Sequence, residues 1–223
     1  MGPFLSGSHL SSLPSRLSMT TPFQFRQAGS RGSAAPYLHP AAEALFPAIT
    51  PGLRVLDVGC GNGYWAGWFV EHGAQVVGLD PSPTGIQVAR ASVPTARFEE
   101  AIVSADTLSQ LGEQAFDLVV SFEVVEHVYS PKTWALGCYS ALKPGGMLVC
   151  STPYHGYLKN LAIALLGKWD RHHETLHEGG HIKFWSVDTL TRQLEQVGFR
   201  DVQFRGAGRY PLLWKSMVLS ARR

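Results

Sequence analysis

Cysteine is scarce in this chain of 223 residues, and long apolar runs are absent. The three cysteines, Cys60, Cys138 and Cys150, form no Cys-x-x-Cys pair and no zinc-finger spacing. This excludes a small disulfide scaffold and favours reduced thiols and a cytoplasmic location. No apolar stretch approaches the roughly 18 residues that a membrane span requires. We therefore expect a protein without a transmembrane span.

Acidic residues are missing from the first 42 positions, where the charged side chains are Arg16, Arg26 and Arg31. The remaining residues carry 16 basic and 17 acidic side chains, so the formal net charge of +2 comes from this first segment. The body of the chain has neither an excess of basic residues nor a basic stripe. We therefore expect no nucleic-acid partner.

The segment 1–35 is rich in serine, glycine and proline and has no sustained hydrophobic period. Such a composition cannot bury enough apolar surface to offset the entropy lost on ordering, which favours a disordered tail. Two other interpretations stay open. Met19 could be the native start, or the arginines and serines could form a transit peptide for import into an organelle.

From Pro36 onward, strand and helix patterns alternate, which predicts one domain over residues 36–223. The predicted strands are 54–58, 74–79, 96–99, 116–122, 147–151, 202–205 and 213–221. The predicted helices are 37–49, the stretch from the glycines at 59–63 to residue 72, 84–91, 132–142 and 187–197. This alternation implies right-handed crossovers and a doubly wound, mostly parallel α/β sheet.

A glycine-rich loop, Asp57–Gly63, lies where the first predicted strand turns into a helix. Glycines there let the backbone approach a ligand closely, and the helix N-terminus offers unpaired N–H groups to an anion. Asp80 closes the second strand, where a carboxylate can accept hydrogen bonds from ribose hydroxyls. A dinucleotide fingerprint needs a third glycine at position 64, and this chain has Tyr64 there.

Four segments, at family spacing, resemble class I methyltransferases that use S-adenosylmethionine. They are Val55–Gly63, Gly78–Asp80, Phe116–Val120 and Leu142–Gly146. The resemblance covers nearly everything after Tyr37. It implies a seven-stranded Rossmann-like sheet, S-adenosylmethionine as the cofactor and methyl transfer as the reaction.

The resemblance also assigns cofactor-binding residues. Gly59 and Gly61 would lie against the methionine part, Asp80 would bind the ribose, and Asp57 would orient the loop or meet the amino group. The remaining predicted cofactor contacts are Phe122 at the end of the fourth strand, Tyr37, and Ala101 with Ile102 near the adenine. The sequence around Ala101 differs from the Gly-Asp-Ala motif that is usual in the family.

The segment Phe122–Val128 resembles the matching segment of ubiquinone-biosynthesis O-methyltransferases, which methylate catechol-type phenols. That resemblance implies quinone biosynthesis, a small-molecule substrate and a divalent metal, such as Mg²⁺, held by Glu123, Glu126 and His127. If a helical turn begins here, their spacing places the three side chains on one face. The alternative is a metal-free pocket shaped by the same residues.

An insertion at about 153–185 interrupts the core after the fifth strand. In the resembled class, such insertions build substrate pockets, so we predict a lid here. His155 and His181 join His127 as candidate catalytic bases. Zinc on His173, His177 and His181 is disfavoured, because Gly179 and Gly180 break the helix that this spacing needs. Residues 157–169 either form a helix that covers the pocket or make peripheral contact with a membrane.

Other functions compete with this hypothesis. Tyr139 and Lys143 satisfy the Tyr-x-x-x-Lys pattern of a nicotinamide-dependent oxidoreductase, but they precede the fifth strand. The segment Ser151–Tyr154 resembles a motif of nucleic-acid amino-methyltransferases, but it follows the wrong strand. Transfer to nitrogen or carbon, and a catalytically dead binding module, also stay open. The sequence favours methyl transfer to a phenol, catechol or quinol oxygen.

Overall fold

The structure, a computed structural model, describes residues 34–173, 176 and 179–223. The predictions made for residues 1–33, including the start at Met19 and the transit peptide, lie outside the described residues. So does His177 of the zinc pattern. No helix among the described residues is long and apolar enough to cross a membrane.

The described residues form a seven-stranded sheet in the order β3-β2-β1-β4-β5-β7-β6. The strands are β1 Arg54–Val58, β2 Gln75–Asp80, β3 Arg97–Glu100, β4 Phe116–Phe122, β5 Leu142–Pro153, β6 Arg200–Ala207 and β7 Ser216–Arg222. The first five pair in parallel, and β7 runs antiparallel to both β5 and β6. The mostly parallel α/β sheet expected from the sequence is therefore confirmed.

Eight helices accompany the sheet in the described ranges. They are α1 Ala35–Glu43, α2 Tyr64–Glu71, α3 Pro83–Ser92, α4 Thr107–Leu111, α5 Pro131–Ala141, α6 Tyr157–Leu165, α7 Trp169–His173 and α8 Val187–Glu195. The short helices α4 and α7 have five residues each. This is too few to show a helical period in the sequence.

Two apolar clusters cover the two faces of the sheet. One contains side chains of α4, α5 and α8, and the other contains side chains of α1, α2 and α3. Alternate residues of β1 divide between them: Leu56 and Val58 face the first cluster and Val55 faces the second. Because β4 lies in the middle of the sheet, its apolar residues 118–120 are buried between the two clusters.

Several boundaries differ from the sequence predictions. Helix α1 ends at Glu43 rather than at residue 49. Strand β5 begins at Leu142, because Leu142 pairs with Phe116 before a shift in register. The strand therefore includes the Pro-Gly-Gly segment that the sequence predicted as a turn before it. The last strand begins at Ser216 rather than at residue 213.

Candidate active site

The loop that follows β1 is tied to the end of β2 by backbone hydrogen bonds. Gly59 N and Cys60 N donate to Leu79 O at 2.7 and 3.0 Å. The Asp80 carboxylate accepts from Gly61 N at 2.9 Å and from Ser82 N at 2.8 Å. Asp80 therefore fixes the shape of the glycine loop.

Gly59 brings this loop into contact with the turn that follows β4. Its φ of +76° is unfavourable for other residues, and a Cβ there would lie 2.3 Å from Val124 Cγ2. No side chain fits at position 59 without displacing Val124. The glycine loop and the turn at 123–127 are thus two walls of one site.

Asp57, at the end of β1, is buried, and one of its carboxylate oxygens has no hydrogen-bond partner among the described residues. Burial, together with the nearby Asp80 carboxylate, raises the pKa of Asp57 to about 7. An unpaired buried carboxylate oxygen favours a cationic ligand group. The residues present therefore fit the amino group of S-adenosylmethionine.

The other predicted cofactor residues lie at different places around the loop. Phe122 stacks on Trp65, with ring centroids 4.2 Å apart. Ala101 N donates to Asp80 O at 3.2 Å, which places this stretch at the same edge, and Ile102 is exposed. The Tyr37 hydroxyl lies 3.2 Å from Ser216 Oγ, and Ser216 in turn donates to Glu123 in the turn after β4. Tyr37 is therefore near that turn.

Glu123 begins the turn after β4 in a left-handed conformation, with a φ of 54°. The helical turn assumed for residues 123–127 does not form. Ser151 Oγ and Ser216 Oγ donate to the Glu123 carboxylate at 2.8 and 3.2 Å. Burial raises the pKa of Glu123 to about 7, although these two hydroxyls oppose the shift.

Glu126 is only 1% exposed, and neither carboxylate oxygen has a hydrogen-bond partner in the described part of the chain. Burial and the Glu123 carboxylate raise the pKa of Glu126 well above its ordinary value. Its carbonyl accepts from Ile182 N and Lys183 N at 2.9 and 3.0 Å. These bonds attach the end of the insertion to the turn.

His127 and His181 meet beside Glu126. Their ring centroids are 5.0 Å apart, and His127 Nδ1 lies 3.3 Å from Gly180 O. Nε2 of His127 is 3.9 Å from Glu126 Oε1. Two candidate bases predicted from distant parts of the sequence are thus brought together with one buried carboxylate.

Glu126, His127 and His181 each offer a ligand atom, and these atoms lie within 4.8 Å of one another. Glu123 is outside this group, because its carboxylate is held by Ser151 and Ser216. One carboxylate with two imidazoles does not fit Mg²⁺, which prefers oxygen ligands. The structure therefore does not assemble the predicted set Glu123, Glu126 and His127 as a magnesium site.

His155 lies deeper in the insertion. Its ring stacks on His173 at 5.7 Å and meets Phe184 edge-on at 5.0 Å. A cavity of about 100 Å³ has both His155 and His181 in its wall. Burial and the neighbouring Lys159 lower the pKa of His155 to about 4.

Sequence reasoning missed Ser151, Ser216 and Lys159. Both serines hold Glu123, and Lys159 donates to Tyr154 O at 2.7 Å. No local pattern marks Ser216, since its role depends on β7 lying next to β5. Ser151 could have been found, because it faces Phe122 across the parallel pair that the sequence predicts.

The Tyr139 and Lys143 pattern is not a catalytic pair. Lys143 Nζ forms an ion pair with Asp117 at 2.6 Å, and the Tyr139 ring packs against Phe199. Neither contact involves the glycine loop or the Glu126 turn.

A profile described as a methyltransferase domain matches residues 31–204 of the chain. The chain is also similar to proteins named ubiquinone biosynthesis O-methyltransferase. The relative from Cereibacter sphaeroides is 37% identical over 176 residues, which is 77% of this chain and 69% of the relative. The relative from Dinoroseobacter shibae is 39% identical over 170 residues, covering 72% of this chain and 65% of the relative.

Solved structures show the same fold. An S-adenosylmethionine-dependent methyltransferase from Mesorhizobium loti matches with a TM-score of 0.64 at 24% identity, covering 83% of this chain and 97% of that one. A phosphoethanolamine N-methyltransferase from Haemonchus contortus, solved with S-adenosyl-L-methionine, matches with a TM-score of 0.57 at 17% identity. It covers 83% of this chain and 51% of that one.

Proposed function

Because this chain belongs to the S-adenosylmethionine-dependent methyltransferases, we propose that it methylates a phenol, catechol or quinol oxygen of a small molecule. The relatives named ubiquinone biosynthesis O-methyltransferase support a role in quinone biosynthesis. The observation that carries the proposal is the group formed by Glu126, His127 and His181 beside the glycine loop. Oxygen acceptors must lose a proton on methylation, and this group can receive one.

The glycine loop, Asp57 and Asp80 would hold the cofactor. S-adenosylmethionine, when bound, supplies an electrophilic methyl group and its own leaving group. The unpaired oxygen of Asp57 would bind the amino group. Asp80 keeps accepting from Gly61 N, and its remaining lone pairs would bind the ribose hydroxyls. The residues that hold the cofactor would thus align it, and the residues that face the acceptor would remove its proton.

His127 is the proposed base. The Gly180 carbonyl is placed to accept a hydrogen bond from Nδ1–H, so Nε2 would carry the lone pair that receives the acceptor's proton. In its ionised form, the Glu126 carboxylate, whose Oε1 lies 3.9 Å from Nε2, would stabilise the imidazolium that results. His181, whose ring lies 5.0 Å from that of His127, would orient the acceptor.

His155 takes a different part in this proposal. A ring with a pKa of about 4 is a poor proton acceptor near neutral pH. Because it is neutral there, it can donate one hydrogen bond and accept another. We therefore assign His155 to binding of the acceptor rather than to proton removal.

The test compares two acceptors that differ in the acidity of the reacting hydroxyl. With catechol, His127→Gln is expected to lower kcat/KM about 100-fold, since a positioned base contributes on the order of 10²–10⁴. With 4-nitrocatechol, which is more ionised at the assay pH, the loss is expected to be several-fold smaller. Methyl transfer would be measured by product mass at pH 7.

His72→Gln is the matched control, because His72 is exposed at the end of α2 and outside the site. It should leave both rates unchanged. Equal losses for the two acceptors in His127→Gln would contradict the base assignment. Methylation of aniline but of no phenol or catechol would contradict the proposed acceptor class.

A further inference from the structure

Helix α6 is inverted relative to an ordinary amphipathic surface helix. Its single lysine, Lys159, is 4% exposed, whereas Leu165 is 78% exposed and Leu158 and Leu161 also face outward. Charged residues are normally at the surface and leucines inside. An inward lysine therefore indicates that something on the inner side stabilises its charge.

The described structure pairs this ammonium with backbone carbonyls. Lys159 Nζ donates to Tyr154 O at 2.7 Å and to Lys215 O at 3.2 Å. An ammonium has three N–H donors, so these two bonds leave capacity for a third acceptor. Burial and Arg209 lower the pKa of Lys159 to about 8, which still leaves it mostly charged at neutral pH.

Two adjoining cavities have Lys159 in their walls. The smaller, of about 100 Å³, also has Arg209, Lys215 and four histidines in its wall. The larger, of about 690 Å³, shares Lys159, His172 and Arg209 with it and adds Lys168 and Arg171. Among the described residues, neither wall contains an aspartate or a glutamate. The cavities are therefore strongly cationic.

A buried polar side chain without a partner lies in the same wall. His155 is 9% exposed, and neither of its ring nitrogens has a hydrogen-bond partner in the described ranges. The carboxylate whose charge acts on Lys159 is Glu123, but Ser151 and Ser216 already donate to it. The wall thus presents positive charge and hydrogen-bond donors without an acidic side chain to match them.

We infer that this wall, formed by His155, Lys159, Arg209 and Lys215, binds a carboxylate or phosphate group carried by the methyl acceptor. The inference rests on the proposed function. His181 belongs both to the smaller cavity and to the group with Glu126 and His127. One molecule can therefore place its reacting oxygen at His127 and its acidic group at Lys159. The cationic wall selects acidic acceptors over neutral ones.

The experiment measures binding rather than turnover, so that it does not depend on the reaction. The full-length protein, saturated with S-adenosylhomocysteine, is titrated calorimetrically with 3,4-dihydroxybenzoate and with its neutral methyl ester. We expect the acid to bind about tenfold more tightly than the ester, as for one charge-assisted contact.

Two variants test the wall without touching the buried lysine. Arg209 and Lys215 are exposed, so Arg209→Gln and Lys215→Gln should fold. Each is expected to reduce the preference for the acid to less than about threefold. Arg205→Gln is the matched control. It removes the same charge from β6, the strand that precedes Arg209, and Arg205 lies in neither cavity wall. It should keep the full preference.

Equal affinity for acid and ester would overturn the inference, while methylation of the ester would leave the proposed function intact. A preference for the acid that Arg209→Gln removes would support the inference even if neither compound were methylated, and the proposed function would then fail alone.

A third arm uses vesicles containing phosphatidylglycerol. Binding to them that needs Arg209, without a preference for the acid, would overturn the inference and assign the wall to a lipid surface.

Discussion

Asp57 and Asp80 end neighbouring strands, but they differ in how many of their carboxylate oxygens accept hydrogen bonds. Both oxygens of Asp80 accept from loop N–H groups, whereas one oxygen of Asp57 has no partner among the described residues. Asp57 therefore has the stronger need for a ligand. At this scale the sequence located both residues at the ends of their strands, but it did not show which of them backbone N–H groups already satisfy. Their cofactor-binding roles stay predictions.

The raised pKa of Asp57 predicts that cofactor binding depends on pH. The carboxyl titrates near pH 7 rather than at its ordinary 3.8, so at pH 6 the ligand-free protein holds a proton there. A cationic amino group binds the ionised form. The affinity for S-adenosylhomocysteine should therefore rise from about pH 5 to 7 and then level off.

Calorimetry at pH 6 in two buffers of different ionisation enthalpy checks this. We expect release of about one proton for each ligand bound. Asp57→Asn should bind more weakly, release no proton and lose the pH dependence. A wild-type protein that releases no proton at pH 6 would contradict the assignment.

At the scale of elements, the segment 179–186 leads into helix α8 and is attached to the turn after β4. Trp185 Nε1 donates to Val125 O at 3.2 Å, and Ser186 forms a capping box with Thr189 at the start of α8. Helix α8 in turn buries Leu190 and Leu194. The position of His181 therefore depends on how firmly this helix begins.

Ser186→Ala is expected to lower the free energy of unfolding by about 1 kcal/mol, because it leaves the Thr189 N–H without its acceptor. Urea denaturation followed by circular dichroism measures the change. Ser130 is the matched control, since it precedes α5 in the same way but its side chain makes no capping hydrogen bond. A loss in Ser130→Ala as large as in Ser186→Ala would show that the cap is not the cause.

At the scale of the whole molecule, the antiparallel strand β7 lies between β5 and β6. This position of β7 in the sheet brings Ser216 to Glu123 although the two residues are 93 positions apart. It also places the cationic wall, with Lys215 before β7 and Lys159 in α6, on one side of the site. The proposed acceptor side thus depends on strands β6 and β7 as well as on residues 153–185.

Among the described residues, both apolar clusters are built from residues 38–221, so we predict that residues 34–223 suffice for cooperative folding. Deleting residues 1–33 should change the free energy of unfolding by less than about 0.5 kcal/mol and leave the affinity for S-adenosylhomocysteine unchanged. Deleting residues 216–223 is the contrasting control and should abolish cooperative unfolding. Denaturant titration of both truncated chains measures this, and loss of cooperative unfolding in the first would contradict the predicted domain boundary.

The sequence by itself determined the sheet, the glycine loop and the family. These depend on local patterns: apolar strands of period two or unbroken runs, glycines at a strand-to-helix turn, and an acidic residue at the end of the next strand. The segment 123–127 was located in the same way. Its helical geometry was not, because Glu123 adopts a left-handed conformation that the spacing of charged residues does not reveal.

Only the tertiary structure decided which side chains meet. His181 joins Glu126 and His127 because backbone bonds attach residues 182 and 183 to Glu126 O. Glu123 turns to Ser216 because β7 pairs with β5. These contacts join residues more than 50 positions apart, and a local pattern carries no information about such closures, whose geometry is set by packing and hydrogen bonding of the complete sheet.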